Sequence, residues 1–328
     1  MTRRRRYINP LTDFGFKRVF GDEEILTAFL NDLIEPRSPI KSVSLINNDV
    51  PPEVEHLRGV VYDIRCKTDA GEEFIVEMQN RPQAHIADRV VYYLARAFSS
   101  QRARGRDLRH IGDEDVWADW DYGLKPVYCV FFLNFHAANL QPVPKRTVTF
   151  KVEETGETFF DKMHAYLLEL PDYRKKQETE CEHPIDQWLY NIANISNMET
   201  QKVPFGDRQP AFKKMFSIAE VAKMSPEEAE RYNISLDSWR ISYDVYHTAI
   251  SDGLKAGMER GMAEGMAKGM AKGMAKGRAE GLEVGERKGE QKAKIEIAQS
   301  LLLSGMPLEQ VQKITGLSAE ELMRLSGL

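Results

Sequence analysis

The stretch Gly59–Asn80 (GVVYDIRCKTDAGEEFIVEMQN) constrains this chain most. It reads as two short apolar strands around a tight turn. Val60, Val61, Tyr62, Ile64 and Cys66 surround Asp63 in the first, and Phe74, Ile75, Val76 and Met78 surround Glu77 and Gln79 in the second. Asp69-Ala70-Gly71 supplies the turn, with Gly71 free to take positive φ. A hairpin centred on Ala70 places Asp63 opposite Glu77, and residues directly opposite have Cβ atoms roughly 4.5–5.5 Å apart. Two carboxylates that close on apolar strands repel each other and lose hydration. A divalent cation between them relieves both costs. Gln79 leaves the same face as Glu77, because side chains alternate along a strand. The competing reading is a solvated acidic face. Asp69, Glu72 and Glu73, at the turn, are expected to be solvated.

The 328 residues suffice for one large domain or two smaller ones, and 42% hydrophobic content supplies a core. A net charge of −5 argues against a generally basic nucleic-acid binder but leaves room for a locally basic cleft. Cys66, Cys129 and Cys181 are widely spaced, which suits free buried thiols in a reducing compartment. The basic start Arg3–Arg6 lacks a following apolar segment, and the longest apolar run, Val127–Phe135, is too short to span a bilayer. These features lead to the expectation of a cytoplasmic protein with no membrane partner.

Along the chain, Asp13–Phe20 interleaves Phe14, Phe16 and Phe20 with Lys17 and Arg18. This aromatic group is expected to be core. Glu23–Ile34 has the helical period, with Asp22 as N-cap. Lys41–Val50 is expected to be a strand. His85–Gln101 reads as a helix whose Arg89 and Arg96 are candidate phosphate contacts. Arg102–Arg109 is basic, and Asp113–Asp121 is an acidic loop or excursion. Pro126–Phe135 (PVYCVFFLNF) reads as a central strand buried on both faces. Arg146–Val152 and Met163–Leu170 are further strands, and helices follow from Pro184.

Glycine then recurs every fourth residue from Gly253 to Gly289, beside a methionine stripe from Met258 to Met274. Each glycine costs about 0.8–1.0 kcal/mol of helix propensity relative to Ala. The stripe drifts by about 40° per repeat around a 3.6-residue helix. Such a helix is satisfied by a partner that winds with it, which points to a homo-oligomer; a flexible linker is the competing reading. The tail (295–328) has helix-turn-helix-like spacing. Its last helix carries Arg324 against Glu320 and Glu321, which favours a packing or dimer module over a DNA recognition helix.

These residues together resemble the Rpn family of recombination-promoting nucleases, also described as PD-(D/E)XK nuclease family transposases. The resemblance rests on Asp13-Phe14-Gly15-Phe16-Lys17 with Phe20, Phe29-Leu30-Asn31, Asp63 with Glu77-Met78-Gln79, Arg89 and Tyr93, Leu124-Lys125-Pro126-Val127, and the glycine tail. It implies an α/β restriction-endonuclease-like core, with a central mixed sheet flanked by helices, followed by a helical C-terminal region. The expected divisions are a nuclease-like core (1–183), a helical extension (184–250), the glycine-repeat helix or linker (251–294) and the small helical module (295–328). The implied activity is Mg²⁺-dependent DNA endonuclease cleavage, with Mn²⁺ as an alternative metal, promoting recombination or mobile-element activity. Asp63, Glu77 and the Met78 carbonyl would hold the metal. Lys17 and Arg89 would contact phosphate, and any of Asp13, Glu23 or Glu24 can add a carboxylate. Gln79 stands where the superfamily usually has Lys; it can position water but brings no charge. The alternative function is a catalytically weak or inactive oligomer of the same fold that binds DNA or protein.

Overall fold

The computed structural model describes residues 5–50, 60–104, 108–111, 114–117, 123–137, 141 and 143–326. The chain divides into two compact units between Ser242 and Tyr243.

The first unit opens with two helices, each started by a polar cap. The Thr12 hydroxyl accepts the Gly15 amide ahead of α1 (Asp13–Phe20), and Asp22 accepts the Glu24 and Ile25 amides ahead of α2 (Glu23–Ile34). Such caps satisfy amides that have no partner within the helix. Phe16 and Phe20 are buried, with ring centroids 5.7 and 5.2 Å from Phe132. The aromatic block is therefore core, as its spacing suggested.

The strands follow as β1 (Val43–Leu45), β2 (Asp49–Val50), β3 (Val60–Val61), β4 (Ile64–Thr68) and β5 (Glu73–Gln79). The helix α3 (Ile86–Arg104) leads to the short antiparallel pair β6 (Leu108–Ile111) and β7 (Glu114–Trp117), then to β8 (Val127–Leu133), β9 (Lys145–Lys151) and β10 (Thr158–Glu169). Six strands form one mixed sheet in the order β1-β4-β5-β8-β10-β9. β8 runs parallel to both β5 and β10, and the other pairs are antiparallel. Alternate residues of β8 enter different cores. Cys129, Phe131 and Leu133 pack with α3, while Val130 and Phe132 pack with α1 and α2. That double burial is why the strand reads as an unbroken apolar run.

Two expectations need correction. Lys41–Val50 is not one strand: β1 joins the main sheet, and β2 pairs with β3 in a separate two-stranded sheet. Glu73 is not solvated. It is 1% exposed and forms an ion pair with buried Arg65 at 2.5 Å. Parts of the Arg3–Arg6 arm and of the Arg102–Arg109 and Asp113–Asp121 segments lie outside the described residues. Arg6 itself is paired with Glu220 at 2.8 Å.

The helices α4 (Pro184–Asn194) and α5 (Pro210–Ala219) share the core of α1 and α2. Trp188 is fully buried between Phe29 and Phe212, at 5.5 and 4.5 Å. The expected helical extension thus packs into the core it follows. Next, Ser225 and Glu228 exchange hydrogen bonds in a capping box that starts α6 (Pro226–Leu303). All ten repeat glycines lie within this helix, and among the described residues none has a neighbour within 4 Å of where a Cβ would stand. The methionines beside them are exposed.

In the second unit, the end of α6 packs with α7 (Leu308–Thr315) and α8 (Ala319–Ser326) around Ala298, Val311, Leu317 and Leu322. Gly316, at φ +72°, makes the turn between α7 and α8, where an L side chain would be strained. No helix of the described residues is long and apolar enough to cross a membrane.

Candidate metal centre at the hairpin

The β4–β5 register is the one centred on Ala70: Ile64 faces Val76, Cys66 faces Phe74, and Lys67 faces Glu73. Gly71 takes φ +83°, and the Thr68 carbonyl accepts its amide at 2.9 Å. Asp69 is exposed, and Glu72 stays at the turn beside Thr68. The same register carries Asp63 to the row of Glu77, just beyond the end of β4.

There the ladder is diverted. Tyr62 stands in the row of Met78, yet its amide donates to the Asn48 carbonyl at 3.1 Å. The Met78 amide donates instead to Asp63 Oδ2 at 2.9 Å, and the Asp63 amide donates to Glu77 Oε1 at 2.9 Å. Each carboxylate thus spends one oxygen on a main-chain amide and keeps the other for a further partner. The diversion also takes the Tyr62 donor away from the Met78 carbonyl.

Glu77 is 1% exposed and Asp63 half-buried. Burial first, and the neighbouring Asp63 charge second, push the Glu77 carboxyl up to about 8; burial likewise raises Asp63. Gln79 shares the face of Glu77, with Nε2 3.4 Å from Glu77 Oε2 and Oε1 accepting from Gln83 at 2.7 Å. Arg89 reaches in from α3. Its guanidinium lies 3.9 Å from Glu77 Oε2, donates to the Tyr93 hydroxyl at 2.6 Å, and stacks 4.9 Å from the Tyr93 ring centroid. Lys17 arrives from α1, where it pairs with Asp13 at 2.7 Å and also feels the charges of Asp63 and Glu77.

Of the three N-terminal acids, Asp13 is the one that acts electrostatically on Asp63. Glu23 accepts the Leu45 amide at 3.0 Å, and Glu24 pairs with Lys214 at 2.6 Å. Among the described residues no three His, Cys, Asp or Glu side chains converge for a metal. The donor set is therefore two carboxylates and, as a third candidate, a main-chain carbonyl. Hard oxygen donors from one buried and one half-buried carboxylate fit a Mg²⁺-like cation, which keeps several waters of its own.

One cluster escaped the sequence reading. At the carboxyl ends of β8 and β10, buried Glu169 holds His136 Nδ1 at 2.8 Å and Arg146 at 3.0 Å. Glu169 stands beside Leu133, which in turn stands beside Gln79. The legible signal was the polar Asn134 and His136 at the end of an apolar parallel strand, where α/β sheets gather ligands.

Comparison with known proteins gives two family matches. Residues 10–247 match the family described as PD-(D/E)XK nuclease family transposase. Residues 291–327 match the C-terminal HTH domain of the Rpn/YhgA-like nuclease family, which agrees with the helix-turn-helix-like spacing of the tail. No curated protein and no solved structure matches the chain. The first match covers well over half of the residues, including the hairpin, and the chain belongs to the PD-(D/E)XK nuclease family transposases.

Proposed function

We propose that the chain is a Mg²⁺-dependent DNA endonuclease that promotes recombination or mobile-element activity, with Mn²⁺ able to replace Mg²⁺. The observation that carries this reading is the Asp63–Glu77 pair, a half-buried and a buried carboxylate with one oxygen each left over by the main chain. These oxygens and the Met78 carbonyl would hold the cation. When bound, a divalent cation polarises the phosphate and lowers the pKa of a coordinated water. Gln79 orients the attacking water through its amide, and Lys17 and Arg89 grip the phosphate oxygens. The water oxygen bonds to phosphorus as it gives up a proton to solvent, one P–O ester bond breaks, and the departing oxygen takes up a proton from solvent.

DNA is the partner this reading requires. The helix-turn-helix tail supports it at the level of family. The exposed methionine and glycine face of α6 supports a homo-oligomer. One observation favours a second reading, that of a DNA-binding oligomer with little cleavage: Gln79 stands where a lysine would add charge. Incubating supercoiled plasmid with the protein in Mg²⁺, Mn²⁺ or EDTA separates the two. Nicking or linearisation with metal and none in EDTA supports the endonuclease; DNA retention without cleavage in any metal supports the second reading.

A further inference from the structure

Resting on the endonuclease reading, we propose that Lys17 is a catalytic cation: its ammonium, delivered from α1, binds an oxygen of the scissile phosphate and supplies the charge that Gln79 lacks.

The hairpin presents two carboxylates at this end, and its third polar side chain is neutral. The Gln79 amide is also held on both sides, by Glu77 and by Gln83. A phosphate approaching Asp63 and Glu77 therefore needs positive charge from outside the hairpin. α1 is fixed to bring it. Asn80, the residue after Gln79, donates to the Leu11 carbonyl at 2.6 Å, just before the Thr12 cap. One turn further, Phe16 packs 5.7 Å from Phe132, the sheet neighbour of Met78. These two contacts fix the helix that carries Lys17 beside the hairpin, and leave the side chain itself to reach the phosphate.

Lys17 is also free to move from its resting partner. Its bond to Asp13 is an exposed pair four residues apart on one helix, of the kind that contributes little and yields to a stronger anion. Partial burial acts to lower the pKa of this ammonium, but Asp13, Asp63 and Glu77 together raise it above the ordinary lysine value. The ammonium stays charged as a phosphate arrives. Arg89 is a poorer candidate for this task, because its guanidinium is stacked on Tyr93 and bonded to the Tyr93 hydroxyl. A lysine is a compact point charge on a flexible stem, whereas an arginine so held is a fixed one. In the reaction Lys17 forms and breaks no covalent bond; it stabilises charge on the phosphate oxygens as the water attacks.

A charge with this role can be moved. The test compares wild type, Lys17→Met, Lys17→Arg and the double variant Lys17→Met/Gln79→Lys. It reads single-turnover plasmid cleavage in Mg²⁺, duplex affinity by fluorescence anisotropy, and thermal melting. Lys17→Met is expected to lose about 100-fold in cleavage rate, the order seen when one preorganised charge-stabilising donor is removed. Its DNA affinity should fall far less, its melting should stay near wild type, and Lys17→Arg should keep part of the rate. Restoring a lysine at position 79 should recover at least a tenth of the wild-type rate. Wild-type cleavage by Lys17→Met overturns the proposal while leaving the endonuclease reading intact. So does a loss that tracks DNA affinity and is not rescued by Gln79→Lys, which would make Lys17 a binding contact alone. Absence of metal-dependent cleavage in the wild type overturns the endonuclease reading and this proposal with it.

Discussion

The Glu77 carboxylate accepts the main-chain amide of Asp63 at 2.9 Å, one step beyond the last paired residues of the hairpin. Asp63 in turn reaches past Glu77 to the amide of Met78, also at 2.9 Å. Side chains take over rungs that the main chain would otherwise fill, so the two carboxylates are fixed side by side. Fixed like charges raise the cost of ionising both.

That cost gives a dependence on pH. Glu77 rises from an ordinary value near 4.5 to about 8 in the folded chain, through burial and the Asp63 charge. The folded state therefore holds this proton more tightly than the unfolded state does. The stability it contributes is fully present below pH 4.5 and is lost as pH rises through about 8. Glu77→Gln removes the titration. In metal-free buffer it should melt near wild type at pH 4.5, and above pH 8 it should be more stable by about 1–4 kcal/mol, since one pKa unit corresponds to about 1.4 kcal/mol. Chemical denaturation across this range measures it. Equal stability of the two proteins above pH 8 would refute the coupling.

Glu73 is expected to behave in the opposite way, although it lies on the same strand. It is as buried as Glu77, but it is neutralised by Arg65. Glu73→Ala leaves a buried guanidinium without its carboxylate, and breaking a buried pair from one side costs about 3–5 kcal/mol. Urea unfolding at pH 7 should show that loss, whereas Glu77→Gln shows none.

The contrast marks how far the sequence could be read. Alternation and Gly71 placed Asp63 in the row of Glu77, because strand pairing has a strict period of two. The central strand was legible because burial on both faces leaves no polar position, and the tail turns because Pro307 and Gly316 punctuate them. The burial of Glu73 was not read, although the same register puts it diagonal to Arg65 on one face. The convergence of Lys17, Arg89 and the His136–Glu169 pair around the sheet end leaves no local trace. It depends on how α1, α3 and β10 pack, not on any spacing within them.

Gln79 is nearly buried and touches Glu77, so its substitution probes the site directly. Gln79→Lys should retain or raise the cleavage rate, since a cation beside Glu77 is electrostatically favoured. Gln79→Ala should lower it about 10-fold or more, within the range for groups that position protons and water. Full activity in Gln79→Ala would make the side chain a bystander.

The tail offers a test of self-association. Among the described residues its ten glycines have no neighbour within 4 Å of where a Cβ would stand, and they weaken the helix by about 0.8–1.0 kcal/mol each. If they exist to let a second copy approach closely, Gly265→Ala with Gly269→Ala and Gly273→Ala should raise helicity yet lower the oligomeric mass. Truncation before Gly253 should give a folded monomer that still cleaves DNA. Light scattering and circular dichroism read both effects. A monomeric full-length protein would remove the oligomer.

The central claim is that Asp63 and Glu77 hold the metal that cleaves DNA. The most direct measurement is the plasmid cleavage rate of Asp63→Ala and Glu77→Ala beside wild type in saturating Mg²⁺, with melting curves for all three. The account predicts cleavage by wild type alone, a fall of about 1,000-fold or more in each variant, and cooperative melting that shows both variants folded. Cleavage by either variant at the wild-type rate would contradict it.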